Sequence, residues 1–271
     1  MNERLVKTAV DCVTEAGDIL LDYHKRLHSL QIKAKDRFDY VTEADLAAQD
    51  AIVKLIRNRH PEDEILAEED HASPGQNANR WLVDPLDGTT NFIHGFPVFA
   101  VSVALEHRNS MVLGAIYDPC RRELFLAQKG QGAVLNGSPI QVSKRQAVDE
   151  ALVATAFPWR QKSVLSRYLK GFTQVFAKVS DVRRSGSAAL DLAYVACGRC
   201  DGFWELGLSP WDIAAGHLLV LEAGGYISDF NGEDAHIWVG DVVAGNQSIH
   251  GFLLEIIRGV FGGNVSKKHG A

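Results

Sequence analysis

The chain lacks the features that mark several large functional classes. Cationic excess is absent: 28 Lys and Arg stand against 34 Asp and Glu in 271 residues, a formal net charge of −6. A protein that grips a nucleic-acid backbone needs a basic stripe, so nucleic acid is not indicated as a partner. Long apolar runs are absent too. No stretch of the sequence has the length of a bilayer span, so no membrane association is expected. Met1-Asn2-Glu3-Arg4-Leu5 lacks the charged lead and apolar stretch of a secretory signal, and Asp11 and Glu15 interrupt the helix that follows. A cytoplasmic location is the expectation. Cysteine is sparse, with Cys12, Cys120, Cys197 and Cys200 its four instances. Cys197-Gly198-Arg199-Cys200 has the spacing of a redox dithiol, but it closes an apolar helical segment (Leu190 to Ala196) instead of opening one. No helix N-terminus is there to lower a thiol pKa, and with no second pair zinc is not expected either. Two structural or merely oxidisable thiols are the reading.

What is present fits a globular protein. Hydrophobic residues make up 46% and charged residues 23%, enough for one large domain or two small ones. Leu5, Ala9, Cys12, Val13, Ala16, Ile19, Leu20 and Tyr23 recur at helical spacing. A strand is expected at Leu30–Lys33, then a polar turn over Lys35–Asp39. Thr42-Glu43-Ala44-Asp45 reads as a capping box opening a helix that runs to Arg59 before Pro61. Residues 98–105, 112–117 and 123–127 are β-rich, and Asn136-Gly137 is a strong hairpin signal. Beyond about residue 145 strands and helices alternate: strands near 152–156, 179–183, 202–205 and 227–229, helices near 163–177, 187–196 and 212–222. The pattern predicts a layered α/β fold of two subdomains, 1–145 with most acidic candidates and 146–271 with Asp212.

One segment carries more chemistry than the rest: Trp81-Leu82-Val83-Asp84-Pro85-Leu86-Asp87-Gly88-Thr89-Thr90-Asn91. A buried strand ends in two carboxylates three positions apart, and a tight turn there is expected to aim both at one hard cation. The Gly-Thr-Thr-Asn that follows offers backbone N–H groups and hydroxyls suited to phosphate. Glu68-Glu69 and Asp212 are further acids at the end of an apolar run and the start of a helix. Each has an ordinary explanation. Asp-Pro and Asp-Gly are turn dipeptides, acid pairs are usually solvated, and Ser209-Pro210-Trp211-Asp212 is a helix cap with Asp212 at its third position. Grouped together, these acids require a cation, and with no His or Cys beside them magnesium suits the oxygen-only donor set.

The whole arrangement resembles the inositol monophosphatase family of magnesium-dependent, lithium-sensitive phosphomonoesterases, most closely its bacterial branch. Trp81 to Phe92 and Trp211-Asp212-Ile213-Ala214-Ala215-Gly216, leading to Glu222-Ala223-Gly224-Gly225, carry the two signatures, and Arg184 to Ala189 and Phe203-Trp204-Glu205 also fit. The likeness runs from the first helix to about residue 250.

The resemblance implies an αβαβα sandwich of the sugar-phosphatase type and two to three Mg2+ ions. Glu68, Asp84 and the Leu86 carbonyl would hold the first, and Asp84, Asp87 and Asp212 the second. Glu68 and Thr89 would position the attacking water, with Asp45 behind Thr89. The Gly88 and Thr89 backbone would take the phosphate. Gly186, Ser187, Ala188, Glu205 and Asp212 would contact a small phosphorylated cyclitol or sugar, with Lys35 nearby on a mobile loop. A homodimer is also implied. The expected reaction is direct attack of activated water on inositol monophosphate. The alternatives are a broader phosphatase (acting on fructose-1,6-bisphosphate, a nucleotide 3′-phosphate or histidinol phosphate) or a regulatory protein that binds transcription machinery.

Overall fold

The first amphipathic segment forms α1 (Glu3–His24), whose buried residues Ala9, Cys12, Val13, Ala16 and Leu20 recur at the three- and four-residue intervals that keep one helix face inward. This computed structural model describes residues 3–36, 39–69, 78–159 and 161–262. β1 (Ile32–Asp36) and β2 (Asp39–Thr42) pair antiparallel as a small ribbon. The first strand therefore starts later than expected and absorbs Lys35 and Asp36 from the anticipated turn. Thr42 caps α2 (Glu43–Arg59) through the expected box: its hydroxyl accepts from Ala44 N, and Asp45 Oδ2 accepts from Thr42 N.

Two sheets follow in order. β3 (Glu64–Ala67), β4 (Asn79–Asp87), β5 (Ala100–His107), β6 (Ser110–Asp118), β7 (Glu123–Gln128), β8 (Gly132–Leu135) and β9 (Ser138–Pro139) form a seven-stranded sheet in sequence order, with α3 (Thr89–Ile93) between β4 and β5. Only β3–β4 is parallel in it. Asn136-Gly137 turns β8 into β9, with Leu135 opposite Ser138. The five-stranded sheet has the order β11 (Asp181–Arg183), β10 (Leu152–Thr155), β12 (Gly202–Glu205), β14 (Val242–Gly245), β13 (Tyr226–Ser228). The remaining helices are α4 (Leu165–Phe176), α5 (Ala188–Ala196), α6 (Pro210–Glu222), α7 (His236–Val239) and α8 (Gln247–Phe261).

The layers stack as α1/α2, seven-stranded sheet, α5/α6, five-stranded sheet, α4/α8, the αβαβα sandwich. Leu82, Ile116 and Phe125 of the first sheet share one continuous core with Leu192, Ile213, Leu219, Phe203 and Ala244 across the middle helices. Being covered on both sides, α5 and α6 are apolar almost all round: nine residues of α6 are buried, among them His217. The packing is close. A Cβ on Gly114 of β6 would stand 2.8 Å from the Ala215 carbonyl oxygen, so glycine is what lets α6 lie on the sheet. The segment from α7 through β14 and α8 lies outside the elements expected from the sequence. Ile249, Leu253, Ile256, Ile257 and Val260 have helical spacing, and Asn246 caps them by accepting from Ser248 N and Ile249 N. Among the described residues no helix is long and apolar enough to cross a membrane.

Candidate active site

Both carboxylates of the central segment belong to β4, and no tight turn separates them. Against β5, Asp84 pairs with Ser102 and Asp87 with Ala100, so three steps on β4 match two on its partner: a β-bulge. This corrects the expected turn and explains the spacing. In a regular strand residues three apart point to opposite faces, and the extra residue brings both acids to one side. Pro85 cannot donate to the ladder, and Leu86 N donates to Asp84 Oδ1 at 3.0 Å. Gly88 follows in the left-handed region (φ +99°), where a Cβ would lie 3.0 Å from the Val98 oxygen and 3.2 Å from the Gly186 oxygen. The Thr89 hydroxyl stands 3.1 Å from the Leu86 carbonyl and 3.3 Å from Asp45 Oδ1.

Other elements deliver the remaining acids by register. The parallel pairing sets Ala67 opposite Val83, so Glu68 and Asp84 are the next residues along neighbouring strands, and Glu68 N donates to the Val83 carbonyl. Ser102, opposite Asp84, donates to the Trp211 carbonyl at 3.3 Å and ties the first turn of α6 to β5. Asp212 performs the cap that the sequence suggested, its Oδ2 accepting from Ser209 N at 2.8 Å, and also lines the pocket. From the other sheet side, Ser187 Oγ and Ala189 N donate to Asp87 Oδ2 at 2.6 and 2.7 Å, so Asp87 sits on the N-terminus of α5.

One pocket gathers Glu68, Asp84, Leu86, Asp87, Gly88, Thr89, Gly186, Ser187, Ala188, Glu205 and Asp212. Asp45 lies behind Thr89 and is buried. Lys35 contributes backbone to β1, while its side chain falls outside the described residues, as do residues 70–77 of the expected loop and the tail from 263. Thr90 of the central segment and Arg184 of the 184–189 motif join the lining, and Tyr40, Ala156, Trp159 and Leu208 complete it from outside any motif. Trp159 sits in a connection with no periodic signal. Buried Asp191, beneath the loop through a Ser185 hydrogen bond, was also missed.

Burial and mutual repulsion of carboxylates dominate the electrostatics of the pocket. Burial, then the charges of Glu68, Asp87 and Asp212, hold the Asp84 carboxyl well above its usual range. Burial pushes Asp87 up to about 6 against the pull of the Ser187 and Ala189 donors. Glu205 is raised by burial and by Asp191, Asp212 and Asp87, with Arg184 opposing. Ionising several clustered acids requires a cation, and a donor set made only of oxygens fits a hard divalent ion such as magnesium. The thiols behave oppositely to a redox pair: burial raises both, Cys200 to about 12, and both are free.

The inositol monophosphatase family model matches residues 1–260. Nus factor SuhB of Pseudomonas aeruginosa is 43% identical, over 94% of this chain and 96% of that protein. Inositol-1-monophosphatase of Mesorhizobium japonicum is 44% identical with the same shares. The crystal structure of extragenic suppressor protein suhB from Bartonella henselae superposes with a TM-score of 0.91 at 40% identity, covering 94% of this chain and 98% of that one.

Proposed function

The chain belongs to the inositol monophosphatase family, and on that premise we propose that it is a magnesium-dependent phosphomonoesterase that hydrolyses an inositol monophosphate such as myo-inositol 1-phosphate. The observation that carries this reading is the convergence of Glu68, Asp84, Asp87 and Asp212 on one pocket beside the Gly88–Thr89 backbone. Glu68, Asp84, Asp87, Asp212 and the Leu86 carbonyl are the groups that would hold the magnesium. When bound, magnesium supplies the positive charge that stabilises the transferring phosphoryl group and makes a water acidic near neutral pH.

The chain's own groups do the rest. The Thr89 hydroxyl, backed by Asp45 and Leu86, orients the attacking water with Glu68, which accepts its proton. A direct displacement needs no phosphoenzyme. Gly88 and Thr89 N–H groups bind the phosphate, and Glu205, Asp212 and the Gly186–Ala188 segment take the hydroxyls of the alcohol. A panel of phosphomonoesters assayed with magnesium, with and without lithium, tests the reading. Hydrolysis of inositol phosphate, inhibited by lithium and lost in Asp87→Ala and Asp212→Ala, is expected. Full activity in either variant, or no hydrolysis of any inositol or sugar phosphate, would overturn it. The family also supports a homodimer, which sedimentation would test.

The name Nus factor carried by the Pseudomonas relative favours a second reading, a regulatory protein that binds transcription machinery. Asp84→Asn separates the two: binding to transcription proteins that survives loss of hydrolysis marks an independent role.

A further inference from the structure

A group of metal-ligating side chains lies outside the acidic pocket. His217 sits on α6, His236 opens α7, and Asp234 precedes it, and none of them lines the pocket. One candidate ligand atom from each lies within 4.8 Å of the other two. His217 Nδ1 and His236 Nε2 share a 2.7 Å hydrogen bond. His236 is fully buried, yet its Nδ1 makes no hydrogen bond. Burial pushes the His236 pKa down to about 4, against the opposing pull of the Glu233 backbone carbonyl, while Asp234 Oδ1 stands 3.7 Å from Nδ1.

That distance is too long for a hydrogen bond. It is close to the separation of two ligands on a tetrahedral zinc ion, about 3.4 Å for bonds of roughly 2.0–2.2 Å. If the shared proton resides on His236 Nε2, the Nδ1 lone pair stands beside a carboxylate, a repulsive pairing that a cation between them reverses. We propose that His236 Nδ1 and the Asp234 carboxylate bind a divalent cation of the zinc class, with His217 Nδ1 accepting the His236 Nε2–H and fixing the ring and its tautomer. Mixed imidazole and carboxylate donors select zinc over magnesium, and a ligand histidine ordinarily has its other nitrogen held in this way. The Asp234 side chain is 89% exposed, so an ion reaches it from solvent and the carboxylate is free to close the remaining few tenths of an ångström. Water fills the other positions. The bound ion ties α7 and the loop before it to α6. Its role is to clamp this corner of the fold, apart from hydrolysis.

The test uses the full chain, 15N-labelled at histidine, with millimolar magnesium present to occupy the acidic pocket, and titrated with zinc chloride. A long-range 1H–15N correlation spectrum reads each ring nitrogen, and His236→Gln assigns the resonance. The expected result is a shift of His236 Nδ1 near one equivalent of zinc, and at least tenfold weaker binding in Asp234→Asn, a substitution at an exposed position. Calorimetry on wild type and Asp234→Asn gives the same comparison without the buried variant, with one zinc fewer expected. An unmoved Nδ1, or equal zinc binding by Asp234→Asn, overturns the proposal. Neither readout depends on phosphatase activity.

Discussion

Replacing Asp87 by Asn is expected to make the metal-free protein more stable while destroying its activity. Burial raises the Asp87 pKa from 3.8 to about 6. Below 3.8 the carboxyl is protonated in both folded and unfolded chains and contributes nothing to the pH dependence. As pH rises the unfolded chain releases the proton first, so the folded state binds more protons and loses stability until pH passes about 6. At about 1.36 kcal/mol per pH unit that interval is worth about 3 kcal/mol. Asparagine keeps an oxygen to accept from Ser187 Oγ and Ala189 N, the two bonds Asp87 Oδ2 receives, and never ionises. It also removes one of the charges that act on Asp84. Urea unfolding in chelator should therefore show wild type and variant nearly equal at about pH 4, diverging to about 3 kcal/mol in favour of the variant at neutral pH, or about 2–4 °C in Tm per kcal/mol. Magnesium should favour wild type and narrow or reverse the difference, because the variant lacks one of the carboxylates that bind the cation. A variant no more stable than wild type at neutral pH in chelator, or a difference flat with pH, would refute the reasoning. The site would then not be paying for its charge in stability.

Three further outcomes follow from local geometry. Gly88→Ala places a Cβ at φ +99° within 3.0 Å of the Val98 oxygen, so a loss of about 1–2 kcal/mol from the left-handed conformation alone, with a marked fall in kcat, is expected by thermal denaturation and phosphate-release assay. Thr89→Val keeps the shape but removes the hydroxyl near Leu86 O and Asp45 Oδ1; kcat should drop about a hundredfold or more while urea unfolding moves by less than about 1.5 kcal/mol. Asp63→Ala strips the buried acceptor of Trp81 Nε1 (2.8 Å) and of Asn79 Nδ2; a cost of about 2–3 kcal/mol is expected, read as a lower urea midpoint with unchanged slope.

Much of this molecule is legible along the chain wherever a feature is local. The periodicity of α1, the Thr42–Asp45 box, the Asn136-Gly137 hairpin and the helix cap at Ser209 each depend on residues within one or two turns of each other. Gly198, in the left-handed region just past α5, ends that helix as its position suggests. Features set by packing are less legible. Asp191 and Trp159 sit in or under the pocket with no local pattern to mark them. The pairing of His217 with His236 spans nineteen residues and two helices. β14, separated in sequence from its neighbour β12 by β13 and two helices, is recognisable only once β12 is there to pair with it.

By itself the sequence determined which residue types stand at the site and the local conformations that present them: two acids with a proline between them, a glycine before paired threonines, a capping aspartate. Short-range sterics and capping suffice for that. Tertiary structure alone decided where those residues point. The bulge against β5 turns Asp84 and Asp87 to one side, the parallel register of β3 sets Glu68 beside Asp84, and the α5/α6 layer between two sheets brings Ser187 to Asp87 across 100 residues of chain. These depend on pairing partners and on buried area distant in sequence. No spacing within a single segment encodes them.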